Sequence, residues 1–213
     1  MLVNKKSSPK IKIIYRKIVL PDDDCWIKQY VVIPKEIRMN NELFEQIWDM
    51  HPFERYCDVY HGKIVTYQRF YKSYIKGNFK SNDPLLGNVN EHPFLAYLLD
   101  YVCRHSGLNY EHLHINWYED GTDYIGYHRD KETFPGTNVY SFTYGEEREF
   151  YIRVDPDKQS LQPDYKLSIS MPNNSMLIMG GFMQEIYQHS VPKRTSKRNP
   201  LNRRINITMR LLI

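Results

Sequence analysis

With 213 residues, a mass of 25.6 kDa and 41% hydrophobic content, the chain has the size of one folded domain and too much apolar content to be disordered. A net charge of +4 and a pI near 8.8 admit an anionic partner without requiring one. Three scattered cysteines (Cys25, Cys57, Cys103) argue against a disulfide framework, and no apolar run reaches membrane-span length, so a soluble, monomeric, intracellular protein of the nucleus or cytoplasm is expected.

Residues 1–20 begin basic and polar and then alternate around residues 11–13, as in an N-terminal extension or an edge strand. Residues 21–213 read as a single domain, in which 21–110 supply helices and a recognition lid and 111–213 a strand-rich core. The spacing of Leu43, Phe44, Ile47 and Trp48 predicts a helix over 40–50, capped by Asn40 or Asn41. A second helix starts at Pro93, carries Phe94, Leu95, Leu98 and Val102 on one face, and stops at Gly107. Between them, residues 67–74 interleave aromatics with Arg69 and Lys72, and Phe79 follows near Lys76 and Lys80. That mixture suits base stacking and phosphate contact, and it equally suits a core.

After Gly107 the chain breaks into short alternating segments: 112–118, 139–144, 149–154, 166–171, 175–179 and 204–213. Turn residues such as Gly121, Gly136, Pro156 and Gly180-Gly181 separate them. Helices first and strands after predict an α+β fold with helices backing one sheet. The eighteen tyrosines agree with a strand-rich chain or a wet binding surface.

Two of these strands put polar residues on one face. His114, Asn116 and Tyr118 alternate with Leu113, Ile115 and Trp117. Arg204, Asn206, Thr208 and Arg210 alternate with Ile205, Ile207 and Met209. Such stripes face either water or a wet pocket, and an arginine in a pocket needs an anion.

His128 and Asp130 are two apart, so at a strand end both can point one way. An HxD pair alone is weak among eight histidines. With His189 it forms a two-histidine, one-carboxylate set of the kind that caps one face of an iron(II) ion and leaves positions open. Lys193, Arg194, Lys197, Arg198, Arg203 and Arg204 form a basic run without acids, read as a solvated loop, a targeting signal or a grip on phosphates.

The segments NWYEDGTDYIGYHRD (116–130), QEIYQHSVPK (184–193) and RINITMR (204–210) together resemble the AlkB-type iron(II)/2-oxoglutarate dioxygenases, in the same order along the chain. The resemblance covers roughly residue 60 to the C-terminus. It implies a double-stranded β-helix (jelly-roll) core with N-terminal supporting helices. It implies iron(II) on His128, Asp130 and His189, 2-oxoglutarate on Asn116, Tyr118, Arg204, Asn206 and Arg210, and O2 as oxidant. Arg204 would take the distal carboxylate, and Arg210 would join the three ligands in the catalytic set.

The implied reaction is oxidative demethylation of bases of the 1-methyladenine and 3-methylcytosine type in DNA, with RNA also a candidate, giving succinate, CO2 and formaldehyde. Glu132 falls where related repair members carry a lesion-reading acid, although it can also pair with a surface cation. Substrate contacts are expected from Arg69, Tyr71, Tyr74, Phe79, Lys193 and Arg194. The family's usual Pro-Arg start to the aromatic segment is absent here, where Val65-Thr66 stands nearby. An RNA or tRNA demethylase, a protein-directed dioxygenase and a nucleic-acid-binding module without chemistry are the alternatives.

Overall fold

The computed structural model describes residues 15–22, 24–60, 62–77, 83–194 and 203–212. Phe79, the alternating residues 11–13 and the basic residues Lys197 and Arg198 lie outside these.

The elements in chain order are strands β1 (Tyr15–Val19) and β2 (Trp26–Tyr30), helix α1 (Asn41–Trp48), and strands β3 (Cys57–Tyr60), β4 (Lys63–Thr66), β5 (Phe70–Ile75) and β6 (Leu86–Asn88). Helix α2 (Pro93–Ser106) precedes β7 (His112–Tyr118), β8 (Ile125–His128), β9 (Val139–Gly145), β10 (Arg148–Val154), β11 (Lys166–Met171) and β12 (Ser175–Gly180). A single helical turn, α3 (Met183–Ile186), leads into β13 (Tyr187–Val191), and β14 (Arg204–Met209) ends the fold.

From β7 onward the chain is a jelly roll. β7, β9, β12 and β14 join a main sheet of order β1-β2-β12-β9-β14-β7-β5-β6, and β8, β10, β11 and β13 form a facing sheet of order β11-β10-β13-β8. β3 and β4 stand apart as a hairpin.

The two longer helices begin where the local chemistry starts them. The Asn40 side chain accepts from the Leu43 N–H at 2.8 Å, and the His92 ring accepts from the Phe94 N–H at 3.1 Å ahead of Pro93. Gly107 closes α2 in the left-handed region at φ 73°. The apolar faces of both helices meet the outer face of the main sheet. Leu95, Leu98, Val102, Ile47 and Trp48 pack there with Ile115, Trp117, Ile205, Ile207 and Met209. The buried Trp117 indole donates to the Ile47 carbonyl at 2.9 Å, tying α1 to β7. A second core, containing Ile27, Val139, Ile152, Ile169, Leu177 and Met179, fills the space between the two sheets. The molecule is thus three layers: helices, main sheet and smaller sheet.

The N-terminal half holds more strand than its pattern indicates. β5 is one example: Phe70 and Tyr74 enter the helix-side core, while Tyr71 faces the inter-sheet side opposite Asn116. With aromatics on both faces, it carries no clean period of two. At the other end, β14 stops at Met209, and Leu212 bridges to Thr133 instead of prolonging the strand.

The close approach of β12 to the β1–β2 turn requires glycine at position 181. Its φ is +67°, and a Cβ there would lie 1.3 Å from the Asp24 carbonyl oxygen. Gly181→Ala should therefore lower stability by about 2 kcal/mol or more in urea unfolding, whereas Gly126→Ala, which meets open space, should change it by less than about 0.5 kcal/mol. Equal effects would contradict this account.

Candidate active site

The site lies between the sheets. β14 pairs with β7 on one side and β9 on the other, so Arg204, Asn206 and Thr208 stand opposite Tyr118, Asn116 and His114, and also opposite Gly145, Thr143 and Ser141. The polar stripes therefore face the second sheet and not bulk water: Arg204 is 1% exposed, and Asn116 and Asn206 are each 7% exposed. Asn206 Nδ2 donates to Ser141 Oγ at 2.9 Å and to the Phe142 carbonyl at 2.8 Å.

From the opposite sheet, β8 and β13 pair with His128 directly across from His189. Asp130 follows just beyond β8. One donor atom from each of His128, Asp130 and His189 lies within 4.8 Å of the others. Both histidine Nε2 atoms are 3.9 Å from an Asp130 oxygen. The His128 Nδ1–H donates to the Gly126 carbonyl at 2.9 Å, which leaves its Nε2 lone pair for a metal. His189 stacks on Phe150, with ring centroids 5.2 Å apart.

The intervening Arg129 turns away to pair with Asp155 at 2.7 Å, and the Asp130 N–H is held by Gln184 Oε1 at 2.9 Å. Burial lowers the pKa of His189 to about 3 with the help of neighbouring His128, so its imidazole is neutral at pH 7. For Asp130, burial acts to raise the pKa, but His189, Arg210 and His128 outweigh it and the net shift is downward. Two neutral imidazoles and one ionised carboxylate, with a cleft on their open side, form a donor set suited to iron(II).

At the inner end, Arg204 Nη2 donates to Thr143 Oγ1 at 3.0 Å, and its guanidinium lies 4.9 Å from the Tyr118 ring centroid. Its Nε and Nη1 have no partner. Burial lowers its pKa to about 10, so it is still charged at pH 7. Each unpaired buried donor costs about 1–3 kcal/mol. A carboxylate that accepts from the guanidinium would remove part of that cost, so this end suits the distal carboxylate of a dicarboxylic acid.

The cleft beside the metal trio measures about 280 Å³; Asn116, Tyr118 and Asn206 line it toward Arg204, and its lining also includes Tyr67, Arg69, Tyr71, Glu132, Phe150 and Met179. Arg210 Nη1 reaches Asp130 Oδ1 at 2.5 Å and lies 3.8 Å from exposed Glu132. Arg69 Nε donates to Asn116 Oδ1 at 2.6 Å. Tyr71 stacks on His114 at 5.0 Å and on Tyr67 at 5.5 Å, with Tyr56 edge-on to both tyrosines. A shallow groove lined by Gln68, Tyr124, Gly126 and Tyr127 continues outward from His128 and Tyr67.

Two expected substrate contacts lie elsewhere. Tyr74 is fully buried in the helix-side core, because it is three residues from Tyr71 along a strand and so faces the other way. Arg194 binds Glu146 at 3.0 Å, Glu149 at 3.3 Å and the Glu147 carbonyl, so its donors clamp the β9–β10 turn. Lys193 is exposed. Residues that sequence reasoning missed include Ser141 and Thr143, which alternate along β9 as detectably as the two recognised stripes. Phe150 and Met179 carry no such signal, since their types are those of ordinary core residues.

A sequence model of the 2OG-Fe(II) oxygenase superfamily matches residues 39–210. The chain is 30% identical over 126 residues to the DNA oxidative demethylase ALKBH2 of Homo sapiens, covering 57% of this chain and 47% of that protein. It is 30% identical over 129 residues to the alpha-ketoglutarate-dependent dioxygenase alkB homolog 3 of Homo sapiens, covering 58% and 44%. The ALKBH2 of Arabidopsis thaliana is 28% identical over 144 residues, covering 58% and 45%. The chain thus spans about half the length of these curated relatives. The solved structure of OsALKBH1 shares the fold, with a TM-score of 0.57 at 16% identity over 86% of this chain and 96% of that one. With the match spanning most of its length, the chain belongs to the 2OG-Fe(II) oxygenase superfamily.

Proposed function

We propose that this chain demethylates N-alkylated bases of the 1-methyladenine and 3-methylcytosine type in DNA, and also in RNA, using iron(II), 2-oxoglutarate and O2. The observation that carries the reading is the pairing of two groups from facing sheets: a His-Asp-His set with Asp130 and His189 buried, and a buried Arg204 guanidinium whose Nε and Nη1 make no hydrogen bond. His128, Asp130 and His189 hold the metal. Arg204 takes the distal carboxylate of 2-oxoglutarate, and Asn116, Tyr118, Asn206 and Arg210 complete that pocket. Iron(II) with 2-oxoglutarate and O2 supplies the oxidising power that hydroxylates an N-methyl group, with succinate and CO2 as co-products. The hydroxymethyl base then releases formaldehyde.

The chain's own residues bind, orient and exclude water. Arg210 donates to the Asp130 oxygen and so fixes which face of the carboxylate remains for the metal. Phe150 packs on the His189 ring and holds its plane. At the outer rim Glu132 is the acceptor for the exocyclic amine of the base, and its negative charge favours a cationic lesion. A base inside a duplex is out of reach and must be flipped. Tyr67 and Tyr71 form an aromatic wall opposite His128, and the Tyr124–Tyr127 groove offers a path for the flanking strand. The relatives named as DNA demethylases support this choice of substrate.

The test is mass spectrometry of 1-methyladenine and 3-methylcytosine oligonucleotides, as single- and double-stranded DNA and as RNA, incubated with iron(II) and 2-oxoglutarate. Loss of 14 Da per methylated base, about the mass of one CH2, with matching succinate is expected; binding without succinate would sink the enzymatic reading. Asp130→Ala should abolish tight binding of Mn(II), a redox-inert stand-in, measured by calorimetry. Glu132→Ala should keep metal and 2-oxoglutarate binding and lose about tenfold or more in demethylation; unchanged turnover would remove Glu132 from the site. Arg204→Met should raise the KM for 2-oxoglutarate by about 10- to 100-fold in a succinate assay, and an unaltered KM would place the distal carboxylate elsewhere.

A further inference from the structure

A second buried arginine stands next to the first. Arg148, the first residue of β10, is 1% exposed, and no carboxylate lies within ion-pair distance of it among the described residues. Its Nη1 donates to the Asp120 carbonyl at 3.2 Å, and its Nη2 donates to the carbonyls of Asp123 at 2.9 Å and Pro192 at 2.6 Å. Its Nε has no partner. The guanidinium carbon lies 5.7 Å from the Tyr118 ring centroid, and that of Arg204 lies 4.9 Å from the same centroid.

One tyrosine ring is therefore shared by two buried guanidinium groups. The ring quadrupole and the backbone carbonyl dipoles offset part of this charge, but none of these partners carries a full negative charge. A fold that only needed to tie the β7–β8 turn to the end of β13 has a cheaper device close by. Arg194, at the surface, donates its N–H to Gly121 in the same turn at 2.8 Å and pairs with Glu146 and Glu149. Glu149 and Asp123 offset the Arg148 charge only from beyond ion-pair distance, so an anion held by the neighbouring Arg204 would stabilise it further.

We propose that Arg148 is a positioning residue of the cosubstrate pocket: with Arg204 it makes the inner end of the cleft selective for a 2-oxo acid with a second, distal carboxylate. It acts without touching that carboxylate. Its charge adds to the field there, its guanidinium lies against the Tyr118 ring, and its contacts with the Asp120, Asp123 and Pro192 carbonyls tie the turn leading to β8 to the end of β13. The proposal rests on the reading that this cleft takes 2-oxoglutarate.

Arg148→Met keeps the apolar stem and removes the charge, and Arg148→Lys keeps the charge and removes the fork. Binding is measured on Mn(II)-loaded protein under nitrogen by calorimetry, with 2-oxoglutarate and with 2-oxopentanoate, which lacks the distal carboxylate. Wild-type protein binds 2-oxoglutarate the more tightly; if it shows no preference, the cosubstrate reading itself fails. In Arg148→Met the affinity for 2-oxoglutarate should fall about tenfold while that for 2-oxopentanoate stays within about twofold. A purely structural Arg148 would weaken both acids alike or neither, and that result overturns the proposal. Arg148→Lys, the variant less prone to misfold, should keep the preference for the dicarboxylic acid. Loss of the preference in Arg148→Lys, despite the retained charge, overturns it as well.

Discussion

The site depends on one geometric constraint: β14 lies between β7 and β9 in a sheet with oil on one face and a cleft on the other. A strand alternates its side chains, so the register that sends Ile205, Ile207 and Met209 into the helix-side core must send Arg204, Asn206 and Thr208 toward the facing sheet. A slip of one residue would bury the arginine against α1 and α2 and turn three apolar side chains into the cleft. The apolar half of the strand is thus what places the polar half.

That arrangement puts charge where charge is expensive. Arg204 and Arg148 are almost fully buried, and their contacts are a hydroxyl, backbone carbonyls and the ring of Tyr118. The metal trio is handled differently. Asp130 is held by Arg210 and by the Gln184 amide, and burial keeps both histidines uncharged. One end of the site therefore presents buried cations with no ion-paired carboxylate among the described residues, and the other presents a donor set suited to a metal.

The rim follows a looser logic. Glu132 is exposed, and Tyr56, Tyr67 and Tyr71 lean on one another without being sealed in. Arg194 shows how position in the basic run misleads. Its charge is spent on Glu146 and Glu149, because the chain leaving β13 passes directly over the β9–β10 turn.

Much of the molecule was legible in the linear chain. Alternation in residues 112–118 and 204–209 marked the two polar stripes, helix caps at Asn40, Pro93 and Gly107 marked α1 and α2, and the order HxD, distant His, RxNxTxR singled out residues that the fold brings to the inter-sheet side. These features are local or periodic, so the sequence carries them without reference to partners. What it could not decide was which face of a stripe meets water. Tyr74 and Tyr71 are alike in the sequence, yet one is sealed in the core and the other lines the cleft, because β5 pairs with β7 in a particular register. Arg148 was silent for the same reason. Whether an arginine is a surface charge or a buried one is set by which strands close over it, and only the pairing of distant segments determines that.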